Sequence, residues 1–279
     1  MHRSYCSLSP IIASFSMLLV ATAARSQEIV EKHDIPDFIF SRNHLSLSIM
    51  GGIAFRADAI TTPYRYGVKT SHQVAFGGGI NYHYNFNKDL SFITGLHMAC
   101  PVRNLEYRIP KDAFNPPMSD DLFNNAGTAR EAVFLVKIPA TIEKRWFTND
   151  KKYWNLGAGV SLVYTPLEGE TLTATASYPN GQQVQYFYMS LQTNNNGKPW
   201  FNYHITGGHG IILKNYDLLV INLVGNLSRT KFLDGVYWFN VPGQPNVDGT
   251  YSAKGSYIGF SATYVRTGAR LRKKQLKKG

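Results

Sequence analysis

The chain has 279 residues, 44% hydrophobic and 13% aromatic, with a formal net charge of +11. Past the N-terminal leader no stretch reaches the ~20 apolar residues of a membrane helix, so helical membrane crossing is excluded. The basic balance is local: Arg3 and Arg25 fall in the leader and seven cations with no acid crowd residues 266–279, leaving +2 (11 − 2 − 7) for the rest.

Residues 1–26 read as a secretion signal. Arg3 opens it, the apolar run from Ile11 to Ala24 is too short to span a bilayer, and Ala24 and Ser26 fit cleavage before Gln27. An exported chain has no nucleic-acid partner. Cys6 leaves with the signal, so Cys100 stands alone and no internal disulfide is expected. Residues 27–43 form a periplasmic segment.

The spacing then predicts eight strands, over 44–56, 70–86, 89–103, 130–145, 152–165, 200–214, 217–232 and 250–265. Their connections alternate long and short, as in an up-and-down barrel with tight periplasmic turns and long outer loops. In the first strand Leu45, Leu47, Ile49 and Ile53 oppose Ser46, Ser48, Gly52 and Ala54. The second, fifth and eighth strands repeat this alternation of apolar with Gly, Ser, Asn and His. Small and neutral groups suit a crowded lumen rather than a water-facing surface, which favours a membrane barrel over a secreted lipocalin. Aromatic girdles are expected from Tyr84, Phe86, Trp146, Trp154, Tyr216 and Tyr264 at the short-turn end, and from Tyr107, Tyr164, Phe201, Tyr203 and Phe232 at the loop end. The fold class is all-β: an eight-stranded antiparallel transmembrane barrel over 44–265 in the outer membrane, with outer-membrane lipid around it.

Parity places Asn81, His83, His97, Lys137, Glu143, Asn155, Asn202, His204 and Asn222 in the lumen. An eight-stranded interior is just wide enough for side chains to fill, so these residues are read as a packed polar network and not as a metal, cofactor or catalytic site. Lys137 and Glu143 each require a partner on another strand. His209 falls by parity on the lipid face, which calls for a bulge at Gly207-Gly208 or a partner for the imidazole. Pro139 lies in mid-strand and marks a bulge or a tolerated kink.

Two outer loops carry structure. Residues 171–178 and 183–191 flank Pro179-Asn180-Gly181-Gln182, a hairpin signal that extends the fifth and sixth strands as a ribbon. Tyr186, Phe187 and Tyr188 sit on it, and Tyr237, Trp238 and Phe239 sit on the fourth loop. These six are read as an exposed aromatic surface; the alternative is that they pack the hairpins together. Beyond the barrel, Arg270, Arg272, Lys273, Lys274, Lys277 and Lys278 form a basic periplasmic tail.

The run Phe134-Leu135-Val136-Lys137-Ile138-Pro139-Ala140-Thr141-Ile142-Glu143-Lys144 resembles the "L-x-I-P-L-L-L-K" strand of PorT-like outer-membrane barrels, and the Gly157-Ala158-Gly159 strand fits the same pattern. Thr141 replaces an apolar residue of that pattern, and Glu143 stands at its lysine with Lys144 next to it. The resemblance implies an eight-stranded barrel, and the family's named member implies a part in type IX protein secretion. The resulting expectation is a non-enzymatic barrel with a filled lumen that engages extracellular or periplasmic protein partners. The alternatives are a secretion accessory and a lipid-modifying enzyme centred on His209 or His204.

Overall fold

Alternation of large apolar with small residues yields long strands in which one face sheds water and the other lets neighbouring backbones approach closely. The computed structural model describes residues 35–40, 42–61, 67–103, 105–124, 131–165, 169–178, 181–193 and 198–268. Residues 1–26, most of the 27–43 segment and the basic residues from 269 onward lie outside the described residues. Among the described residues there are seventeen strands, β1 to β17 in chain order. Eight of them build the barrel: β1 (His44–Ala54), β4 (Gln73–Asn85), β5 (Leu90–Arg103), β9 (Leu135–Asn149), β10 (Lys152–Tyr164), β13 (Trp200–Ile212), β14 (Leu218–Ser228) and β17 (Tyr257–Arg266). Each pairs antiparallel with two neighbours, and β4 pairing with β5 closes the ring.

The stagger of the ring follows from the register. Stepping across the ladders from Lys137 leads to His97, Gly79, Ser48, Thr263, Val220, Gly210, Tyr153 and back to β9 at Phe147. The return lands ten residues from the start (147 − 137). With eight strands, this shear and ordinary strand spacings give a tilt of about 40°.

The outward face is apolar: Leu45, Ile80, Leu96, Ile205 and Phe260 are all more than half exposed, and Tyr84, Phe86, Trp146 and Trp154 ring the short-turn end. An apolar exterior on a closed barrel is the surface of an outer-membrane protein, because ring closure lets the wall pair its strands without an open edge. Three expected girdle residues belong elsewhere. Tyr216, Tyr107 and Phe232 are buried in packed clusters at the two ends of the barrel.

Several strand ends differ from the sequence reading. β9 runs on to Asn149, past the expected end at 145. The expected seventh and eighth strands both break at the outer rim. There the Ser228 N–H donates to Ser256 Oγ at 2.9 Å, Ser256 Oγ donates to Ser228 O at 3.2 Å, and Asn226 donates to Gly255 O at 2.7 Å. These side-chain bonds replace ladder bonds, so the chain leaves the barrel and starts a second sheet. At Pro139 there is no bulge. The β5–β9 ladder lacks the Gly95 and Leu96 pairings opposite Pro139 and Ile138, then resumes in the same register at His97 and Lys137.

Above the outer mouth, β11 (Gly169–Ser177), β12 (Gln183–Thr193), β15 (Lys231–Phe239), β16 (Val247–Lys254) and β2 (Asp58–Thr61) form a five-stranded sheet in that order. The β11–β12 hairpin is therefore not a continuation of the barrel wall, but half of a sheet completed by the fourth loop. The strands β3 (Lys69–Thr70), β6 (Leu105–Ile109) and β7 (Leu122–Asn124) form a smaller sheet, and β8 (Glu131–Ala132) pairs with the outer end of β5. One apolar core joins these sheets to Leu135, Val163 and Trp200 at the barrel rim.

At the opposite end a short helix, α1 (Ile35–Phe40), packs Ile39 and Phe40 against Tyr153, Ile212, Tyr216 and Leu218. Asp217 secures the exit of the last strand, accepting from Tyr264 Oη at 2.5 Å and from the Thr267 N–H at 2.9 Å.

Candidate functional site in the lumen and on the extracellular sheet

Along β9 the inward residues are Lys137, Pro139, Thr141, Glu143 and Arg145, from the outer to the periplasmic end. Arg145 Nε donates to Glu143 Oε1 at 2.8 Å, and Asn155 Nδ2 donates to Oε2 at 2.8 Å. Arg145 also donates to Ser91 Oγ at 2.8 Å and to Asn85 Oδ1 at 3.1 Å, and its guanidinium lies 4.3 Å from the centre of the Phe40 ring. A planar guanidinium serves this site because its fork of donors and its stacking face are all used. Sequence reasoning placed Arg145 at a strand end and left it out of the lumen. The parity of 137, 139, 141 and 143 was the signal that includes it.

A second network surrounds the histidines. Asn81 Nδ2 donates to Ser46 Oγ and Ser48 Oγ, both at 3.3 Å, which leaves its Oδ1 to accept from His97 Nε2 at 2.5 Å. That assignment puts the His97 proton on Nε2. His83 Nε2 meets Ser46 Oγ at 2.8 Å, and His204 bridges Thr141 Oγ1 at 2.7 Å and Ser161 Oγ at 3.1 Å. The three imidazoles thus turn to separate hydroxyl and amide partners. Among the described residues no group of three His, Cys, Asp or Glu side chains is placed to hold a metal ion. Gly79 makes room for this arrangement, since a Cβ there would meet the His97 ring at 2.3 Å.

Two expectations about the lumen are corrected. Glu143 takes its cation from its own strand and an amide from β10, and Lys137 meets no acid among the described residues; its ammonium sits 4.7 Å over the Tyr257 ring of β17. The lumen is also not filled. A cavity of about 120 Å³ runs between Phe40 and Tyr153 at the periplasmic end and Lys137 and Tyr257 at the outer end. Asn202 accepts from Trp200 Nε1 at 3.0 Å but does not line this cavity, while Asn222 does.

His209 faces outward in unbroken register, paired with Trp154 and Ile221. No bulge intervenes at Gly207-Gly208; the partner is the Trp154 ring, edge-on at 4.9 Å. His204 and His209 point to opposite sides of the wall. Cys100 is buried near the outer rim.

The expected aromatic surface is corrected for four of its six residues. Tyr186, Phe187, Tyr237 and Phe239 are buried and pack with Tyr107 and Phe114 in the core beneath the sheet. Tyr107 Oη lies 3.3 Å from Tyr186 Oη; burial and this bond hold the Tyr107 phenol well above its ordinary pKa. Strict alternation decides the outcome, since Phe187, Tyr237 and Phe239 take the inner face and Tyr186 sits inward at a bulge opposite Ala174 and Thr175. Tyr188 and Trp238 take the outer face and stack at 3.9 Å and 19° beside the half-exposed Val236. The residues of the basic tail, from Arg270 to Lys278, lie outside the described residues.

No protein-family model and no curated protein matches the chain in sequence. In backbone it is similar to the outer membrane protein OprG from Pseudomonas aeruginosa, at 12% identity and a TM-score of 0.30 over 80% of this chain and 97% of that one. It is also similar to the Pseudomonas putida toluene transporter TodX, at 8% identity and a TM-score of 0.28 over 87% and 95%. A TodX deletion mutant, described as a monoaromatic hydrocarbon channel, gives 10% identity and a TM-score of 0.34 over 87% and 96%. The architecture rests on the strand ladder of this chain, not on these likenesses.

Proposed function

We propose that the protein is a non-enzymatic surface barrel of the PorT-like type that engages an extracellular protein partner through the outer face of its five-stranded sheet. The observation that carries this reading is the Tyr188–Trp238 stack. Its rings lie on a sheet whose other face is a packed core, so they are held rigidly. Rigid aromatics on an exposed face are what binding surfaces use as anchors. Val236 extends the patch along β15, and Ile60, 69% exposed, lies two strands away. Replacing Tyr188 and Trp238 together with Ser tests it: partner binding falls while the barrel still resists heat in detergent. Full binding by that variant contradicts the reading.

A second reading is a secretion accessory. It rests on the resemblance of the 134–144 strand and on the basic tail, which leaves the barrel on the periplasmic side just after the Asp217–Thr267 anchor. Deleting residues 269–279 and comparing the secreted proteome with that of the parent tests it. An unchanged lipid A mass spectrum in a deletion strain is the result expected of a non-enzymatic barrel.

A further inference from the structure

Three side chains lining the lumen cavity are ionic: Lys137, Glu143 and Arg145. Glu143 and Arg145 neutralise each other. Lys137 lies six residues further along the same strand, roughly 20 Å away at ordinary strand rise. It is 3% exposed, no acid pairs with it among the described residues, and its ammonium lies over the Tyr257 face. An aromatic face offsets part of an ammonium's lost hydration, but a buried cation without a counter-charge remains among the least favourable arrangements in a protein. Among the described residues Lys137 therefore stands at the outer end of the lumen without a counter-charge, beside empty space.

The space has a defined character. At about 120 Å³ it far exceeds the on-the-order-of 10–15 Å³ that one water requires. His97 commits Nε2 to Asn81, and both nitrogens of His204 are engaged, so these rings shape the wall and leave Lys137 as its cation. Met50, Leu218, Val220, Val224 and Val265 also line the cavity, with Asn222 between the two β14 valines. The cavity thus offers one cation and an apolar wall element formed by Met50, Val220 and Val224, interrupted by Asn222.

We propose that the lumen binds the anion of a small organic acid, with its carboxylate on Lys137 Nζ and its short hydrocarbon part against Met50 and Val224. A halide would satisfy the charge but leave the apolar wall and most of the volume unused. The site is independent of the extracellular sheet.

The test uses the full mature chain in detergent micelles, labelled with 15N-lysine and titrated with sodium butyrate, with sodium bromide as a separate arm. The expected result is a saturable butyrate-dependent shift of one lysine side-chain resonance that is missing in Lys137→Met. By calorimetry, Lys137→Met weakens butyrate binding about ten- to a hundredfold, the loss of one charge-assisted contact. Val224→Phe keeps the lysine but fills the apolar wall; it weakens butyrate and keeps the proposal testable should the lysine variant fail to fold. No saturable response in the wild-type chain, equal binding by Lys137→Met, or saturation by bromide without saturation by butyrate each overturns the proposal.

Discussion

Arg145 and Glu143 stand two residues apart on β9, and their side chains meet inside the barrel at 2.8 Å with 2% and 7% side-chain exposure. Residues at i and i+2 of a strand share a face, so the pair is built by the local sequence and then locked by Asn155, Ser91 and Asn85 from other strands. Phe40 of α1 covers the guanidinium, so the N-terminal segment and the polar lumen are joined at one point.

Glu143→Gln should be strongly destabilising. It leaves the guanidinium buried without its counter-charge, and breaking such a pair costs about 3–5 kcal/mol. Replacing both residues with apolar groups of similar volume should cost much less. Urea unfolding in micelles measures both, and equal losses for the single and double variants would show that the pair does not act as a unit.

Gly210→Ala should open the periplasmic end. A Cβ at Gly210 would lie 2.0 Å from Tyr153 Cζ, so the ring must leave its packing against Phe40. Overpacking of this kind costs about 1–3 kcal/mol. Faster protease cleavage near Phe40 with an intact barrel is the expected readout.

His209→Phe should be neutral or stabilising by roughly 1 kcal/mol. His209 faces lipid beside Trp154, and its buried Nδ1 has no hydrogen-bond partner, so an apolar ring removes a polar group that gains nothing from its surroundings. A marked loss of stability would show that the imidazole has a further role.

Trp238→Ser and Tyr237→Ser should separate binding from folding. Tyr237 is fully buried, and removing its ring should cost about 3–5 kcal/mol, shown by loss of protease resistance in the extracellular sheets. Trp238 lies on the open face, and its loss should reduce partner binding with little effect on that resistance.

Alkaline pH should loosen the extracellular core before it affects the barrel. Burial and the bond to Tyr186 raise the Tyr107 phenol above its value in the unfolded chain. A raised acid contributes stability that is present below the unfolded pKa, about 10, and lost as pH climbs above it. Near-ultraviolet circular dichroism against pH measures this, and Tyr107→Phe should remove the dependence.

The barrel was legible because period-two alternation and the rhythm of turns follow directly from strand geometry and membrane sidedness. Lumen occupants such as His97 and Glu143 followed from the same parity. What the sequence did not reveal depends on several strands at once. That Lys137 meets no acid among the described residues emerges only when β5, β9 and β17 are set side by side. The unfilled lumen is lined by side chains from several strands at once. The aromatic triplets read as exposed because they sit in loops. Their burial depends on the second sheet, which forms only when the hairpins of two distant loops pair through β12 and β15. The break at Ser228 and Ser256 is a matter of two hydroxyls meeting at the rim, which no window along the chain contains.

The most direct test of the central claim is photo-crosslinking on intact cells from probes placed at Val236 and Trp238, with Tyr237 as the buried control. The expected result is one discrete protein adduct, identified by mass spectrometry, from the two outer-face positions, absent from position 237 and lost when Tyr188 is also changed to Ser. No adduct from 236 and 238, or an adduct that survives the Tyr188 change unaltered, would contradict it.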